Sequence, residues 1–309
     1  MQPLGRPVSN LTLGLMFGLG SVLIWTGFIL TSRAGALTPL GMTDMVAVRF
    51  GTALLVLLPL VWRWRWQWFT PRMFLLGAIG GLAYALSVYA GFERAPASHA
   101  ALLLPGLMPI VIAVLAGLLL KEEKTLWVWL GIATSSLGIL VLMFESLMAS
   151  SEYLAGDLWF MLACLFWGIY TIMLRAWKLQ PWVATVAVVA ITSLLYLPTY
   201  ALVLPVGLSE VSWQTVALQA FYQGVLATIV QMLCYVRAVQ LLGATRMGAL
   251  MALVPVFVGA LAVPMFGEAM TDGTLIGIAL GVVGAGLGLV RKPRRSLMRR
   301  TDTCCRNPV

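Results

Sequence analysis

Residues 109–138, PIVIAVLAGLLLKEEKTLWVWLGIATSSLG, recur in altered form as residues 255–284, PVFVGALAVPMFGEAMTDGTLIGIALGVVG. At a shift of 146 positions Pro109 meets Pro255, Leu115 and Ala116 meet Leu261 and Ala262, Glu122 meets Glu268, and Thr125 meets Thr271. Gly131, Ile132, Ala133 and Gly138 meet Gly277, Ile278, Ala279 and Gly284, so nine of thirty positions are identical. A shift of 142 aligns the start of each half: Leu23 with Leu165, Trp25 with Trp167, Arg33 with Arg175, Ala34 with Ala176. A loop insertion of four residues accounts for the difference between the shifts. Each copy reads as five membrane spans, an odd number, so the second copy must enter the bilayer in the opposite sense. Inverted-topology repeats are a construction of secondary transporters. The fold expected is an all-α membrane protein of ten transmembrane helices, built as two inverted-topology five-helix repeats.

Composition agrees. The 309-residue chain is 61% hydrophobic and only 10% charged, far more apolar than a soluble domain. Apolar stretches of about 20 residues, the length that crosses the hydrocarbon core, recur along its whole length. They read as spans at 11–32, 42–61, 73–92, 97–120, 126–144, 156–175, 183–204, 216–236, 247–267 and 274–290. Polar residues thin the pattern at the ends of spans three and eight. The first repeat is thus 11–144, the second 156–290, and residues 291–309 form a basic tail.

A net charge of +9 would fit nucleic-acid binding if the basic residues made one patch. Here they are sorted by side. With the N-terminus cytoplasmic, Arg6, Arg63, Arg65, Arg72, Lys121, Lys124, Arg175, Lys178, Arg237, Arg246 and seven residues of the tail lie inside. That is 17 of 20, with Arg33, Arg49 and Arg94 towards the outside. This is the positive-inside pattern, with both termini cytoplasmic, and no nucleic-acid partner is needed. The loop after span four carries Lys121 and Lys124, whereas Glu268–Asp272, its repeat counterpart, carries no basic residue. The tail reads as a solvated stop-transfer segment able to touch anionic headgroups. No small-residue cleavage pattern follows the first apolar run, so span one is expected to be retained. Cys164 and Cys234 sit inside spans as small apolar residues, and Cys304 and Cys305 lie in the tail. They make neither a disulfide framework nor a metal or redox site, and no cofactor is expected.

The doubled pattern resembles the EamA repeat of the drug/metabolite transporter superfamily over roughly residues 11–290. It is carried by the run Ala95–Leu104, Pro109, Glu122, Gly131 and Gly138, and in the second copy by Ala238, Pro255, Glu268, Gly277 and Gly284. Arg49-Phe50 in span two and Trp25 and Trp167 in spans one and six also resemble the family pattern. The resemblance implies ten helices, cytoplasmic termini, a cavity between the halves, and export or exchange of small metabolites. It does not imply one substrate. Pro105, one turn before Pro109, has no counterpart, since Met251 stands there. Two prolines one turn apart free two carbonyls and bend a helix.

Polar residues inside a membrane are functional candidates. Arg246, at the entry to span nine, either attracts a substrate carboxylate or snorkels to the cytoplasmic interface. Arg49 reads as snorkelling outward or capping a neighbouring helix in preference to binding, because Asp44, five residues earlier, is poorly placed to pair with it. His99, the only histidine, is a proton-coupling candidate or a hydrated interfacial residue. Glu122 and Glu268 recur by symmetry, which argues for a shared structural role such as capping the turns into spans five and ten, with Thr125 and Thr271 as N-caps.

Aromatic residues are better cavity candidates. Trp25 with Phe28, and Trp167 with Tyr170, are repeat-related pairs, each on one helix face, able to hold an apolar, aromatic or cationic group. Interhelical or lipid-facing packing is the plain alternative. Tyr84 with Ser87 in span three and Gln231 with Tyr235 in span eight share faces and seek hydrogen-bond partners. Trp62, Trp64, Trp66 and Trp68, interleaved with Arg63 and Arg65, read as an interfacial belt. Glycines spaced four apart at 77/81, 277/281 and 284/288 allow close packing, either within the bundle or between two protomers, so the chain is a monomer or a homodimer.

The expectation is therefore an inner-membrane secondary transporter, not an enzyme, moving small organic metabolites such as amino acids or drug-like compounds, as an exporter. Trp25, Tyr84, Trp167, Tyr170, Gln231 and Arg246 are its substrate-binding candidates, and protons or a counter-substrate its coupling partners. A passive channel, a membrane subunit without transport of its own, and an intramembrane lipid-modifying enzyme are the alternatives. The last needs a nucleophile with its base or clustered metal ligands, which one histidine and no mid-membrane carboxylate do not supply.

Overall fold

The structure, a computed structural model, describes residues 10–121, 126–148, 153–204, 207–242, 247, 250, 251, 253–268 and 270–288. Among these residues all regular structure is helical. Glu122, Thr125, Arg246 and the tail at 291–309 lie outside the described residues.

The helices are α1 (Asn10–Ala36), α2 (Met42–Arg63), α3 (Pro71–Phe92), α4 (Ala97–Leu120), α5 (Leu126–Met148), α6 (Leu154–Ala176), α7 (Pro181–Leu202), α8 (Trp213–Leu242), α9 (Val254–Phe266) and α10 (Asp272–Gly288). A short helical turn, Arg65–Trp68, follows α2. Seven of them, α1 to α4 and α6 to α8, are long and apolar enough to cross a membrane. The other three hold shorter apolar stretches, Trp129–Leu142, Val254–Phe266 and Asp272–Gly284. The chain is a multi-pass helical membrane protein, and its seven long helices fall on the expected spans one to four and six to eight.

Local chemistry sets several ends. Thr70 caps α3 by accepting from Met73 N, with Pro71 in the first turn, and Ser212 caps α8 by accepting from Thr215 N. Such caps satisfy amide donors that have no partner within the helix. The Thr271 hydroxyl accepts from Thr274 N at 3.2 Å at the start of α10, as the sequence led one to expect. α9 ends on Gly267 at φ 66°, a left-handed backbone that glycine adopts without a Cβ penalty. Glu268 does something other than expected. Instead of capping the turn into α10, it accepts from Ala97 N and Ser98 N at the start of α4, at 3.0 and 3.3 Å.

The packing follows the repeat. α1 lies against α8 and α9, and its counterpart α6 lies against α3 and α4, so each half's first helix sits in the other half. Equivalent helices that touch run antiparallel. At the start of α2 and the end of α7, Tyr196 donates to Thr43 O at 2.9 Å, Tyr200 donates to the Asp44 carboxylate, and Ser193 donates to Phe50 O at 3.2 Å. Along α5 and α10, a Cβ added at Gly138 would lie 2.8 Å from Gly277 O, and one at Gly284 would lie 2.6 Å from Gly131 O. These two contacts exchange with each other under the 146-residue shift. The backbones approach as closely as small-residue seams in membranes do. Gly277 and Gly284 of α10 therefore pack on α5 within the chain.

A second repeat feature was not legible in the sequence. Helical hydrogen bonding widens to the π pattern at residues 78–83 of α3 and at residues 220–230 of α8. Both segments start at equivalent positions, Ala78 and Ala220. Wide turns of this kind recur at functional sites. Around them α3 approaches α6 and α7, and α8 approaches α1 and α2, leaving a space between the halves.

Candidate substrate cavity

That space is a cavity of about 400 Å³, within the range of small-molecule sites. Trp25 and Phe28 of α1, Arg49 and Phe50 of α2, Tyr84 of α3, Trp167 and Tyr170 of α6, and Thr228 and Gln231 of α8 all line it, with Pro105 and Met108 of α4. Both halves thus present their equivalent aromatic pairs to one volume. Trp25 and Phe28 have centroids 6.2 Å apart, Trp167 and Tyr170 5.2 Å, and Tyr84 stands 5.0 Å from Trp167. Five of the six expected binding residues, Trp25, Tyr84, Trp167, Tyr170 and Gln231, come together here. The sixth, Arg246, lies outside the described residues.

Gln231 serves the cavity wall first. With its amide turned so that the carbonyl oxygen accepts from Trp25 Nε1 at 2.9 Å and from the Ser21 hydroxyl at 2.8 Å, its NH2 donates to Ser21 O at 3.1 Å. It fixes the Trp25 indole. The threonines are similarly engaged: Thr171 donates to Trp167 O at 2.8 Å, Thr185 to Pro181 O at 3.0 Å, and Thr228 to Gln223 O at 2.7 Å. The last bond spans five residues and sits in the wide turn of α8. Behind it Gln223 donates to Thr31 and Ser32 on α1 and accepts from Tyr89 on α3.

Arg49 departs from the expectation of an outward-snorkelling side chain. It is 9% exposed and lines the cavity. Its Nε donates to Thr228 Oγ1 at 3.1 Å, its guanidinium lies over Phe28 at 5.2 Å and Phe50 at 5.5 Å, and Nη1 is buried without a hydrogen-bond partner. The helix faces inward at this position because α8 covers it, a tertiary fact that spacing to Asp44 could not reveal.

One end of the bundle is tied by carboxylates. Glu268 pairs with Arg33 at 3.1 Å while accepting the α4 amides, and Arg33 also donates to Phe92 O at 2.9 Å. Met42 N donates to Glu93 at 2.6 Å, and Asp44 accepts from Tyr200 and from Gly207 N. His99 is buried at this end, outside the cavity lining, with Nδ1 2.9 Å from Asp157 Oδ1 and its ring 5.5 Å from that of Tyr153. The expected hydrated histidine is instead half of a buried pair, and its partner lies 58 residues away, beyond any local motif. Pro255 is buried in the first turn of α9, and Pro109 lies within α4.

Towards the opposite end the residues that line the cavity become exposed. α4 and α6 run parallel, with His99 beside Asp157 and Cys164 donating to Leu103 O, so the α6–α7 junction is remote from the Glu268 cluster. There Leu179 and the exposed Pro181 line the cavity. Among the described residues no cluster of His, Cys, Asp and Glu could hold a metal ion.

Apolar helices around an aromatic cavity form a multi-pass membrane architecture able to hold a small molecule. The comparisons make the family explicit. Residues 12–144 and 154–289 each match the EamA-like transporter family, and the chain belongs to that family, within the drug/metabolite transporter superfamily. No curated protein matches the chain. A crystal structure of a protein is similar over 89% of this chain and 95% of its own, with a TM-score of 0.56 and 20% identity; this likeness concerns the fold alone.

Proposed function

We propose that the chain is a ten-span secondary transporter of the inner membrane, not an enzyme, that exports small organic metabolites, amino acids and drug-like compounds among them. Its two inverted halves expose one cavity alternately to each side. The observation that carries the reading is the cavity itself, whose walls are the equivalent residues Trp25 and Trp167, Phe28 and Tyr170, drawn from both halves. Support for inversion comes from the antiparallel contacts between α2 and α7, α4 and α9, and α5 and α10. With both termini cytoplasmic, the cavity opens to the cytoplasm at its α6–α7 end and the Arg33–Glu268 cluster closes the outer end. In sequence Arg175 and Glu122 stand in the same relation, as the counterpart pair for the other end. Trp25, Tyr84, Trp167 and Tyr170 form the substrate walls, Gln231 holds Trp25 in place, and Arg246 favours an anionic group at the cytoplasmic entrance. The His99–Asp157 pair is the candidate for coupling to protons, with exchange for a counter-substrate as the other driving mode.

The test compares metabolites in the medium of cells expressing the wild type, Trp167→Ala or an empty vector. A compound enriched with the wild type alone supports transport through the aromatic cavity. Equal enrichment with both proteins removes Trp167 from the site, and no enrichment with either rejects export.

A further inference from the structure

Among the described residues Arg49 is a buried charge with no counter-charge in hydrogen-bond reach. Ion pairs join Arg33 to Glu268, Arg94 to Glu93 and His99 to Asp157, and Arg49 belongs to none of these. The other buried charged side chains, Asp44, Asp157 and Glu268, accept from neighbouring groups in the same structure. Thr228, the Tyr89 hydroxyl and the two phenylalanine rings surround the Arg49 guanidinium. Cation–π contacts offset only part of the desolvation of such a group. Its Nη1 is buried without a hydrogen-bond partner, and Arg49 is the one charged residue among the described lining of the cavity.

We propose that Arg49 anchors a single carboxylate, and that the substrates of this protein are monocarboxylates with an apolar or aromatic body. This rests on the reading of the cavity as a transport site. The planar fork of a guanidinium matches a carboxylate in two parallel hydrogen bonds. The threonines and the amide of the lining are engaged: Thr171, Thr185 and Thr228 donate to helix carbonyls, and the Gln231 amide is held by Ser21 and Trp25. The lining hydroxyls of Tyr84, Tyr170 and Tyr235 are neutral and offer a carboxylate single hydrogen bonds without a counter-charge. One cation balances one negative charge, whereas a phosphate monoester carries about two and would stay uncompensated. An amine cation meets the opposite difficulty, because no described lining residue is a carboxylate. The body of the ligand then lies between Trp25 and Phe28 on one side and Tyr84, Trp167 and Tyr170 on the other.

The experiment measures binding of matched probes to the purified full-length protein by calorimetry. The probes are phenylacetate with phenylacetamide and phenethylamine, and 4-methylpentanoate with its amide. The wild type is expected to bind at least one acid at least about 30-fold more tightly than its amide, the factor associated with pairing a buried charge. In Arg49→Gln the acid and amide should bind within about threefold of each other, and Arg49→Lys, which keeps the charge without the fork, should fall between. Ligand-free Arg49→Gln is expected to unfold at or above the wild-type temperature, since an unmet buried charge is removed. Equal binding of acid and amide to the wild type, binding of neither at millimolar concentration, or a preference that survives in Arg49→Gln overturns the proposal. Exchange of labelled acid by protein-loaded liposomes separates the two ideas. Acid preference without exchange keeps Arg49 as the anchor and rejects transport; exchange of a solute without acid preference does the reverse.

Discussion

Replacing Gly284 by alanine tests the seam that joins the last helix of each repeat. The added Cβ would lie 2.6 Å from Gly131 O and 2.8 Å from Ser135 N on α5. Carbon and carbonyl oxygen normally meet at about 3.3–3.6 Å, so the two helices must part by about 0.7 Å. The Ser135 hydroxyl also stands in the way and can turn aside, but these two atoms belong to backbone, which cannot. Overpacking of this kind costs about 1–3 kcal/mol, and the better helix propensity of alanine returns at most about 1 kcal/mol. A net loss of about 1–2 kcal/mol is expected. Gly286→Ala is the matched control, because nothing lies within 4 Å of its added Cβ, and it should gain about 0.5–1 kcal/mol. The assay is thermal unfolding of the detergent-solubilised protein, followed by retention of the monodisperse species on gel filtration. Gly284→Ala should fall below the wild type, by about 2–4 °C per kcal/mol lost on the scale of larger domains, while Gly286→Ala should sit at or above it. If the two variants unfold at the same temperature, α5 and α10 do not pack through these glycines.

Other perturbations probe the tied end and the cavity wall. Glu268→Gln removes the charge from a part-buried pair with Arg33 and weakens the acceptor of two α4 amides, so a loss of about 1.5–3 kcal/mol should appear as a lower unfolding temperature; an unchanged temperature refutes the tie. Tyr200→Phe removes a buried donor to Asp44 and should destabilise by about 1.5–3 kcal/mol in the same assay, whereas a loss confined to a few tenths would show that Gly207 N suffices. Gln231→Leu releases the Trp25 indole and should red-shift the difference in emission between this variant and Gln231→Leu/Trp25→Phe, relative to the same subtraction in the wild-type background; identical difference spectra would mean that Gln231 does not hold Trp25.

The helices were legible because a span is a local, one-dimensional property: about 20 apolar residues must follow one another wherever the chain crosses. Trp25 and Trp167 were legible for a related reason, since the repeat marks them twice. The fate of Arg49 was not, because it depends on α8 covering α2 some 180 residues later in the chain. Testing Arg49 against Asp44 examined only its own helix, while its partner Thr228 and its orientation come from the wide turn of α8. His99 met the same limit, as its carboxylate arrives from α6. Glu268 was read as a local cap because capping within one turn is what spacing reveals. Its actual partners, the first amides of α4 and Arg33 of α1, belong to the other repeat.

Alternating exposure of the cavity is tested most directly with a single cysteine at Thr171, which lines it, in a background lacking Cys164, Cys234, Cys304 and Cys305. A membrane-impermeant thiol reagent is applied to each face of sealed vesicles in turn. The account predicts labelling from both faces, with access from the outer face increased by Glu268→Gln. Labelling from one face alone, in the wild type and in Glu268→Gln alike, would contradict it.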